Sequence, residues 1–215
     1  GRLGVERSKA AIRTGTNTFV VARSGRIQPA DSVRTDLIAS PLKIGLHAGQ
    51  IWIADLPGLK RALVTTNLIV PVSSKGPVLM ASDVSNFCLF SGGELVLSIE
   101  GKPGRTLARD VRGIRALAVD AGQVLAGYED GRILRHDDGT GSLVWQCTNS
   151  IDALVQRDGV AYVAVSGEGI YRLVQGQKPV LVLDGTSGID ISGVSAMSIH
   201  GDELYIGSRH GLVVF

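Results

Sequence analysis

The chain is poor in the features that mark carbohydrate-binding arrays, membrane proteins and helical domains. Aromatic residues make up only 5% of its 215 residues, too few for an exposed aromatic platform in every part of a sugar-binding array. No run approaches the roughly 20 apolar residues that a membrane-spanning helix requires. No window of about 12 residues keeps a 3.6-residue apolar period without a glycine or proline, which argues against helices.

The chain also has few cysteines and a small net charge. Cys88 and Cys147 fall in different repeats, so we expect two buried free thiols and no disulfide. The formal charge of +2 is too small to indicate binding to nucleic acid or to a membrane. No signal peptide is visible, which slightly favours the cytoplasm, but the chain begins at Gly1 without a methionine, so a longer parent protein stays open.

Glycine, by contrast, is abundant, with 28 residues spread evenly along the chain. An apolar strand, a glycine turn, a second strand and another glycine recur six times, with the first glycines at positions 15, 49, 92, 122, 159 and 201. Repeats of this length, each with up to four short strands, are typical of a β-propeller. The sequence therefore predicts one all-β propeller domain over residues 1–215, with six blades as the best count and five or seven left open.

The repeat that begins at Ile114 shows the pattern most clearly, with the strands IRALAVD, QVLAGYE, RILRH and SLVWQC. The third repeat is less regular: NFCLF, ELVLSIE and TLARD are predicted as its first three strands, with the fourth short or missing. The last repeat also has three strands. We expect Leu3–Glu6 to supply its fourth strand, which would close the ring and hide an open sheet edge.

A small residue recurs on the predicted innermost strands. Ala116, Ala153 and Ala196 each stand two residues after the start of such a strand, and Gly45 is the predicted equivalent in the second repeat. Because innermost strands crowd toward the propeller axis, this regularity indicates packing and does not indicate a site.

Three phrases carry a family resemblance: GQIWIADLPGL, VAYVAVSGEGIYRL and ELYIGSRHGLVVF. They resemble the repeats of bacterial regulator-type and quinoprotein-like propellers, within the WD40/YVTN-like group. The resemblance implies the propeller fold and a sensing or interaction role. The Gly-His and Trp-Asp pairs of WD repeats are missing, as are the tryptophan-docking motifs of quinone-cofactor propellers, so no cofactor and no site residue is carried over.

The candidate site is the propeller face on which second-to-third strand loops and blade-to-blade connections open. The residues that we expect on this face or leading to it are Arg23, Asp55, Lys102, Arg105, Arg109, Glu129, Glu168, Arg209 and His210. A ring of mixed sign suits a protein or peptide better than a polyanion. The basic run from Lys102 to Arg115 would hold a phosphate or an acidic peptide by bidentate pairing, or it is a charged edge that discourages aggregation.

Three functions remain open from the sequence. The first is a non-enzymatic scaffold or sensor that binds a protein or peptide through its loop-rich face. The second is a metal-dependent hydrolase or lactonase, with Asp55, Glu100, Glu129 and Glu168 near the channel mouth. The third is a carbohydrate-binding propeller, which the low aromatic content disfavours. No metal is expected, because the four histidines lack any ligand spacing such as His-x-His or His-Glu-x-x-His.

Overall fold

The computed structural model of the chain describes an all-β protein. Backbone only is described for residues 8–14, 17–22, 27–29, 41–47, 50–55, 58–63 and 68–71, and backbone with side chains for residues 79–83, 85–99, 104–137, 139–187, 193–208 and 211–215. Within these ranges the chain forms strands and one 3-10 turn, Gly185–Ser187. None of the described residues belongs to a helix with the length and apolar character that crossing a membrane demands.

The described strands form six antiparallel sheets, numbered in chain order. Sheet 1 holds β1 (Ser8–Thr14), β2 (Asn17–Ala22) and β3 (Ile27–Pro29), and sheet 2 holds β4 (Pro41–His47), β5 (Gln50–Asp55), β6 (Gly58–Leu63) and β7 (Leu68–Pro71). Sheet 3 holds β8 (Leu79–Ser82), β9 (Asn86–Ser91), β10 (Glu94–Ile99) and β11 (Arg105–Ala108). Sheet 4 holds β12 (Ile114–Asp120), β13 (Gln123–Tyr128), β14 (Arg132–His136) and β15 (Gly141–Gln146). Sheet 5 holds β16 (Ile151–Arg157), β17 (Val160–Val165), β18 (Gly169–Val174) and β19 (Val180–Asp184), and sheet 6 holds β20 (Ala196–His200), β21 (Glu203–Ser208) and β22 (Gly211–Val214).

The sheets are stacked radially through their first strands. β1 lies against β4, β4 against β8, β8 against β12, β12 against β16 and β16 against β20. Within each sheet the strands follow chain order from this innermost strand outward. The chain is therefore a β-propeller, as its glycine-spaced repeats predict.

Four of the sheets in the described part of the chain, sheets 2 to 5, have the four strands of a complete blade. Sheets 1 and 6 have three described strands each. The segment TDLIAS, predicted as the fourth strand of sheet 1, and the predicted closing strand Leu3–Glu6 both lie outside the described residues. The predicted count of six complete blades is not confirmed, since four complete blades are what the structure shows.

Sheet 3 corrects the prediction for its strands. NFCLF, predicted as the innermost strand, is the second strand β9, and the innermost strand is β8, with the sequence LMAS. The fourth strand, predicted to be short or missing, is β11. β8 could not be predicted from the sequence. It has only four residues, and because Met80 alone is buried, the strand shows no apolar alternation. The segment predicted as a second-to-third strand loop therefore falls between the third strand β10 and the fourth strand β11, and Lys102 within it lies outside the described residues.

A β-bulge recurs near the start of the innermost strands. The register shifts by one residue between Ser8 and Ala10, between Pro41 and Lys43, between Ile114 and Ala116, and between Ile151 and Ala153. A bulge adds one residue to a strand and turns its side chain out of the regular ladder. The residue added in sheet 4 is Arg115, and the residue added in sheet 5 is Asp152.

The same register corrects one predicted equivalence. Ala116 pairs with Gly127, and the residue at that position in sheet 2 is Lys43, which pairs with Ala54. Gly45, the predicted equivalent, lies two residues further along its strand and pairs with Trp52. Because this position in sheet 2 holds a lysine, the small residue of the other innermost strands does not recur there.

The core is divided into layers between neighbouring sheets. Leu95, Leu97 and Leu107 of sheet 3 pack with Leu117 and Val119 of sheet 4, and all five are buried. Similar layers lie between sheets 4 and 5 and between sheets 5 and 6. Because both faces of an inner sheet are covered, β13 is buried at five consecutive positions and does not alternate.

Polar contacts tie neighbouring sheets at their first turns, on the face opposite the loops. One oxygen of the Asp83 carboxylate accepts hydrogen bonds from the backbone N–H of Ser85 at 2.8 Å and of Asn86 at 2.7 Å. The other accepts the N–H of Ala121, in the first turn of sheet 4, at 3.0 Å. The Gln156 amide donates in the same way to the Gln123 carbonyl of sheet 4 at 2.6 Å.

We expect Gly127→Ala to destabilise the protein by about 1–3 kcal/mol through overpacking. A Cβ at Gly127 would lie 2.5 Å from Cγ2 of Ile151, the first residue of the next innermost strand. The matched control is Gly207→Ala, because Gly207 pairs with Ala196 at the same register position and its Cβ would meet no atom closer than 3.6 Å. Urea unfolding followed by tryptophan fluorescence measures both variants, and equal losses of stability would show that the Ile151 contact relaxes.

Candidate functional site

The loop-rich face is made of the turns between second and third strands and the connections from each fourth strand to the next sheet. In sheets 3 to 5 its described segments are residues 91–93, 109–113, 129–131, 147–150 and 166–168. Backbone hydrogen bonds extend the strand ladders of sheets 3 and 4 into these segments. Val111 N–H donates to the Gly93 carbonyl at 3.0 Å, and Glu129 N–H donates to the Gly113 carbonyl at 2.8 Å. The loops therefore have a fixed backbone frame.

Four of the predicted site residues lie on this face. Asp55 ends β5 and pairs with Gly58 across the second-to-third strand turn of sheet 2. Arg109 follows β11, Glu129 follows β13 and Glu168 precedes β18.

The remaining predicted site residues are not brought to the same place. Arg105 is the first residue of β11, at the opposite end of that strand from Arg109. The residues Arg23, Lys102, Arg209 and His210 lie outside the described part of the chain. The structure therefore assembles only part of the predicted ring.

Glu168 is the residue most firmly held on the loop-rich face. One carboxylate oxygen accepts hydrogen bonds from the Asn149 amide at 3.0 Å and from the Thr148 hydroxyl at 3.3 Å. The other accepts the Tyr171 hydroxyl at 2.9 Å. No cation among the described residues forms an ion pair with Glu168, so three neutral donors orient this carboxylate.

An aromatic pair lies beside this carboxylate on the side of the outer strands. The rings of Trp145, on β15, and Tyr171, on β18, lie 4.9 Å apart with a tilt of 50°. The hydrogen bond to Glu168, aided by burial, raises the pKa of Tyr171 above its ordinary value. The phenol therefore stays protonated and goes on donating to the carboxylate. Nothing in the sequence marks Thr148, Asn149 and Tyr171 as partners of Glu168, because only the fold brings them close to it.

The junction of sheets 3 and 4 has a different set of charges. Arg109 lies 3.5 Å from the Glu94 carboxylate, with both side chains more than half exposed, so this pair contributes little stability. Arg112 and Arg115 are exposed and make no ion pair with the described residues. The Glu129 side chain packs against Gly113, where a Cβ would come within 3.1 Å of its Oε1. This junction therefore presents both signs of charge to solvent.

A buried polar pair lies beneath the loop-rich face in sheet 4. The Tyr128 hydroxyl and His136 Nε2 are hydrogen bonded at 2.9 Å, and both residues are less than 5% exposed. The Arg132 guanidinium stands 5.0 Å from the centre of the Tyr128 ring and pairs with Asp130 at 2.8 Å. His136 Nδ1 is buried without a partner in the described structure.

Neither cysteine is placed for reactivity. Burial raises the pKa of the Cys88 thiol to about 12 and also raises the pKa of Cys147. Both thiols are free, as the sequence predicts, Cys88 buried and Cys147 half-buried. A protonated thiol is a poor nucleophile and a poor metal ligand, so neither residue forms part of the candidate site.

Comparisons with known proteins identify the fold. No family model and no curated protein matches the chain. Among solved structures, the chain is similar to the extracellular domain of BT4673 from B. thetaiotaomicron, with a TM-score of 0.70 and 13% identity over 97% of this chain and 33% of that one. It is similar to a chain of a nidogen–laminin complex, with a TM-score of 0.67 and 16% identity over 94% of this chain and 89% of that one.

A third similar structure is BamB from Moraxella catarrhalis, with a TM-score of 0.60 and 19% identity over 95% of this chain and 67% of that one. All three neighbours are β-propeller proteins. The chain spans only a third of the length of the BT4673 domain. At these identities the comparisons establish the fold and assign the chain to no particular propeller family.

We expect the stability of the protein to fall as the pH drops below 6.5. Burial lowers the pKa of His136 from its ordinary value of 6.5, and the charge of Asp137 opposes this shift only in part. At a pH between the two pKa values, the unfolded chain binds a proton at His136 and the folded chain does not. The free energy of unfolding therefore falls with decreasing pH, by at most about 1.4 kcal/mol per pH unit. Urea unfolding between about pH 5.5 and 7.5, above the carboxylate range, measures the slope.

His136→Gln is the variant that should flatten this slope, since it removes the buried titrating group. His200→Gln, which alters an exposed histidine at the end of β20, is the matched control and should leave the slope unchanged. A slope that persists in the His136→Gln variant would assign the pH dependence to another group.

Proposed function

We propose that this chain is a non-enzymatic binding scaffold that holds a protein or peptide against its loop-rich face. The observation that carries the proposal is the Glu168 network. Three hydrogen bonds orient this carboxylate at the junction of sheets 4 and 5, while no described cation neutralises it. An oriented and unpaired charge on a fixed frame is suited to recognition, because little side-chain entropy is lost when a partner binds.

The charges of the neighbouring junction support a protein or peptide as the partner. Arg109, Arg112 and Arg115 stand close in sequence to Asp110, and Glu129 reaches the same segment through its contact with Gly113; all five charged residues are exposed. A surface that presents both signs within a short distance favours a partner that also carries both signs. A nucleic acid, which is uniformly negative, would meet repulsion from Glu129 and Glu168.

The structural neighbours agree with a binding role without defining it. The nidogen–laminin structure is a complex between proteins. The rigid sheets and polar loops of a propeller serve such a role well, because binding residues can vary on loops without disturbing the core.

The hydrolase alternative has no supporting feature in the described residues. No group of three or more His, Cys, Asp or Glu side chains lies close enough there to hold a metal ion. Glu129 and Glu168 belong to the turns of different sheets and have separate contacts, with Gly113 and Asn149 respectively. We therefore put forward only the binding function.

Photo-crosslinking tests the proposal. A photoreactive amino acid is introduced at Arg112 or Glu129, on the loop-rich face, and the variant is expressed in the cells that naturally make this protein. We expect irradiation to join one defined protein to both positions, because both would lie within a single interface.

The matched controls carry the same photoreactive group at Asp158 or Asp202, which are exposed turn residues on the opposite face. Crosslinks of equal yield from these two positions, or no crosslink from the loop-rich positions, would contradict the proposal. Glu168→Gln, which removes the oriented charge and keeps the size of the side chain, should weaken the crosslink at Arg112.

We also propose that the ring has six blades, with sheets 1 and 6 each completed by a fourth strand beyond the described residues. The six radially stacked sheets of the described chain support this count. An experimental density map that resolves the individual strands would test it, and five or seven sheets around the axis would contradict it.

A further inference from the structure

The Glu168 carboxylate has room for one more hydrogen-bond donor. Its Oε1 accepts two hydrogen bonds, from the Thr148 hydroxyl at 3.3 Å and the Asn149 amide at 3.0 Å, whereas its Oε2 accepts one, from the Tyr171 hydroxyl at 2.9 Å. Each carboxylate oxygen can accept two hydrogen bonds. Within the described part of the chain, one acceptor position on Oε2 is therefore left over.

The three donors orient this carboxylate without supplying a positive charge. Two hydroxyls and an amide are neutral, and no lysine, arginine or histidine among the described residues pairs with Glu168. Glu168 is half-buried, and an ion pair at a half-buried position is screened less by water and salt than one at an exposed position. The group that complements this site best is a cation with at least one N–H donor.

The hydrogen bond from Tyr171 places an aromatic pair beside the carboxylate. The Tyr171 ring contacts the Trp145 ring, with 4.9 Å between the ring centres. Both side chains are half-buried, so each keeps part of its surface in solvent. The face of an aromatic ring attracts an ammonium or guanidinium group that lies within about 6 Å of its centre. A cation at Glu168 would therefore be stabilised by the carboxylate and by the rings together.

Sheet 4 contains the same combination of groups with a cation in place. There the Arg132 guanidinium pairs with the Asp130 carboxylate at 2.8 Å and stands 5.0 Å from the centre of the Tyr128 ring. In sheet 5 the equivalent of Arg132 is Gly169, because both precede an isoleucine that pairs with the next-to-last residue of the second strand. Sheet 5 thus has a carboxylate and a tyrosine but no side chain at the position that supplies the cation in sheet 4.

We propose that Glu168, Tyr171 and Trp145 form a site for one basic side chain of the bound protein or peptide, a lysine or an arginine. The side chain would donate an N–H group to Oε2 of Glu168, and its apolar stem would lie against the two rings. This inference rests on the proposed function and adds to it the chemistry that the partner presents at the junction of sheets 4 and 5.

The occupied acceptor positions decide how the cation would bind. Both positions of Oε1 are taken by Thr148 and Asn149, so the paired hydrogen bonds of an arginine to both carboxylate oxygens are not available. A lysine and an arginine would each bind through a single N–H group. The planar guanidinium stacks better on an aromatic ring, so we expect arginine to bind at least as tightly as lysine.

NMR titration of the full chain tests this site with three small probes. N-acetyl-arginine methylamide and N-acetyl-lysine methylamide carry the two basic side chains, and N-acetyl-norleucine methylamide has the carbon chain of lysine without its charge. The indole N–H of Trp145 and the side-chain amide of Asn149 report binding. We expect saturable shifts with both basic probes, with dissociation constants in the millimolar range because one partly exposed ion pair is weak, and no shift with the norleucine probe.

Glu168→Gln is the variant that should lose the site, because it removes the charge and keeps the size of the side chain. We expect it to weaken binding of both basic probes by at least about fivefold, since the charged partner of the hydrogen bond is lost. Raising the salt concentration should also weaken probe binding to the wild-type chain, which tests the charge without any substitution.

Glu203→Gln is the matched control for this variant. Glu203 also accepts a tyrosine hydroxyl, from Tyr205 at 2.6 Å, but it is exposed and follows the first turn of sheet 6, on the face opposite the loops. Its substitution removes one carboxylate of the same kind from the chain. It should therefore leave the affinity for both basic probes unchanged.

Three results would overturn this inference. One is binding of the norleucine probe as tight as that of the basic probes, and another is binding of the basic probes that survives Glu168→Gln. The third concerns Arg209, which lies outside the described residues. If Arg209→Gln made the chain bind the basic probes more tightly, the chain's own Arg209 would be the cation that occupies the site.

Failure of the proposed function would show in a different measurement. A crosslinked protein from the loop-rich positions, together with no binding of either basic probe, would overturn this inference and leave the proposed function standing. Absence of crosslinks with probe binding intact would contradict the proposed function, because the site would then have no protein to bind.

Discussion

Packing between neighbouring sheets is the constraint on which the rest of this protein depends. No single sheet of three or four short strands has an interior of its own, so each gains its stability from the sheets on either side. The contact of Gly127 with Ile151 shows how close this packing is, because the backbone of one sheet touches the side chain of the next. The polar ties from Asp83 to Ala121 and from Gln156 to Gln123 reinforce the same stacking.

Because of this constraint, different parts of the surface are free to vary in sequence to different degrees. The innermost strands and the first turns are committed to their neighbours, so they offer little room for variation. The loop-rich face is anchored by backbone bonds such as Glu129 to Gly113 but leaves its side chains in solvent. The outer strands are the least constrained, as the exposed Leu143 and Leu181 show. Residues that bind a partner can therefore vary on the loops and the outer strands without loss of core stability.

The sequence was most informative where the repeat is clean. In sheets 4 and 5 the predicted strands agree with the observed ones, because the strands are long and their turns carry glycines with positive φ, such as Gly122 and Gly159. The prediction failed in sheet 3, where the innermost strand β8 is too short to alternate. It also failed at Gly45, because the register of the strand pairs shows that Lys43, two residues earlier, is the equivalent of Ala116. Both errors concern features that depend on the partner strand.

The candidate site divides in the same way. Glu129 and Glu168 could be placed on second-to-third strand turns from glycine spacing alone, since the turns are local. The partners of Glu168 could not be found, because Asn149 lies 19 residues away and meets it only when β16 pairs with β17 in sheet 5. The Tyr128–His136 pair was missed for a related reason, since only burial between sheets turns two ordinary polar residues into a buried bond.

The sequence by itself determined the all-β class, the radial repeat and the identity of the turns, because these follow from short-range alternation and from the backbone freedom of glycine. Only the tertiary structure decided which strand of sheet 3 is innermost, which donors hold Glu168 and which residues the bulges add to the innermost strands. These features depend on how separate sheets meet. That meeting is governed by packing between residues far apart in the chain, which a local pattern does not record.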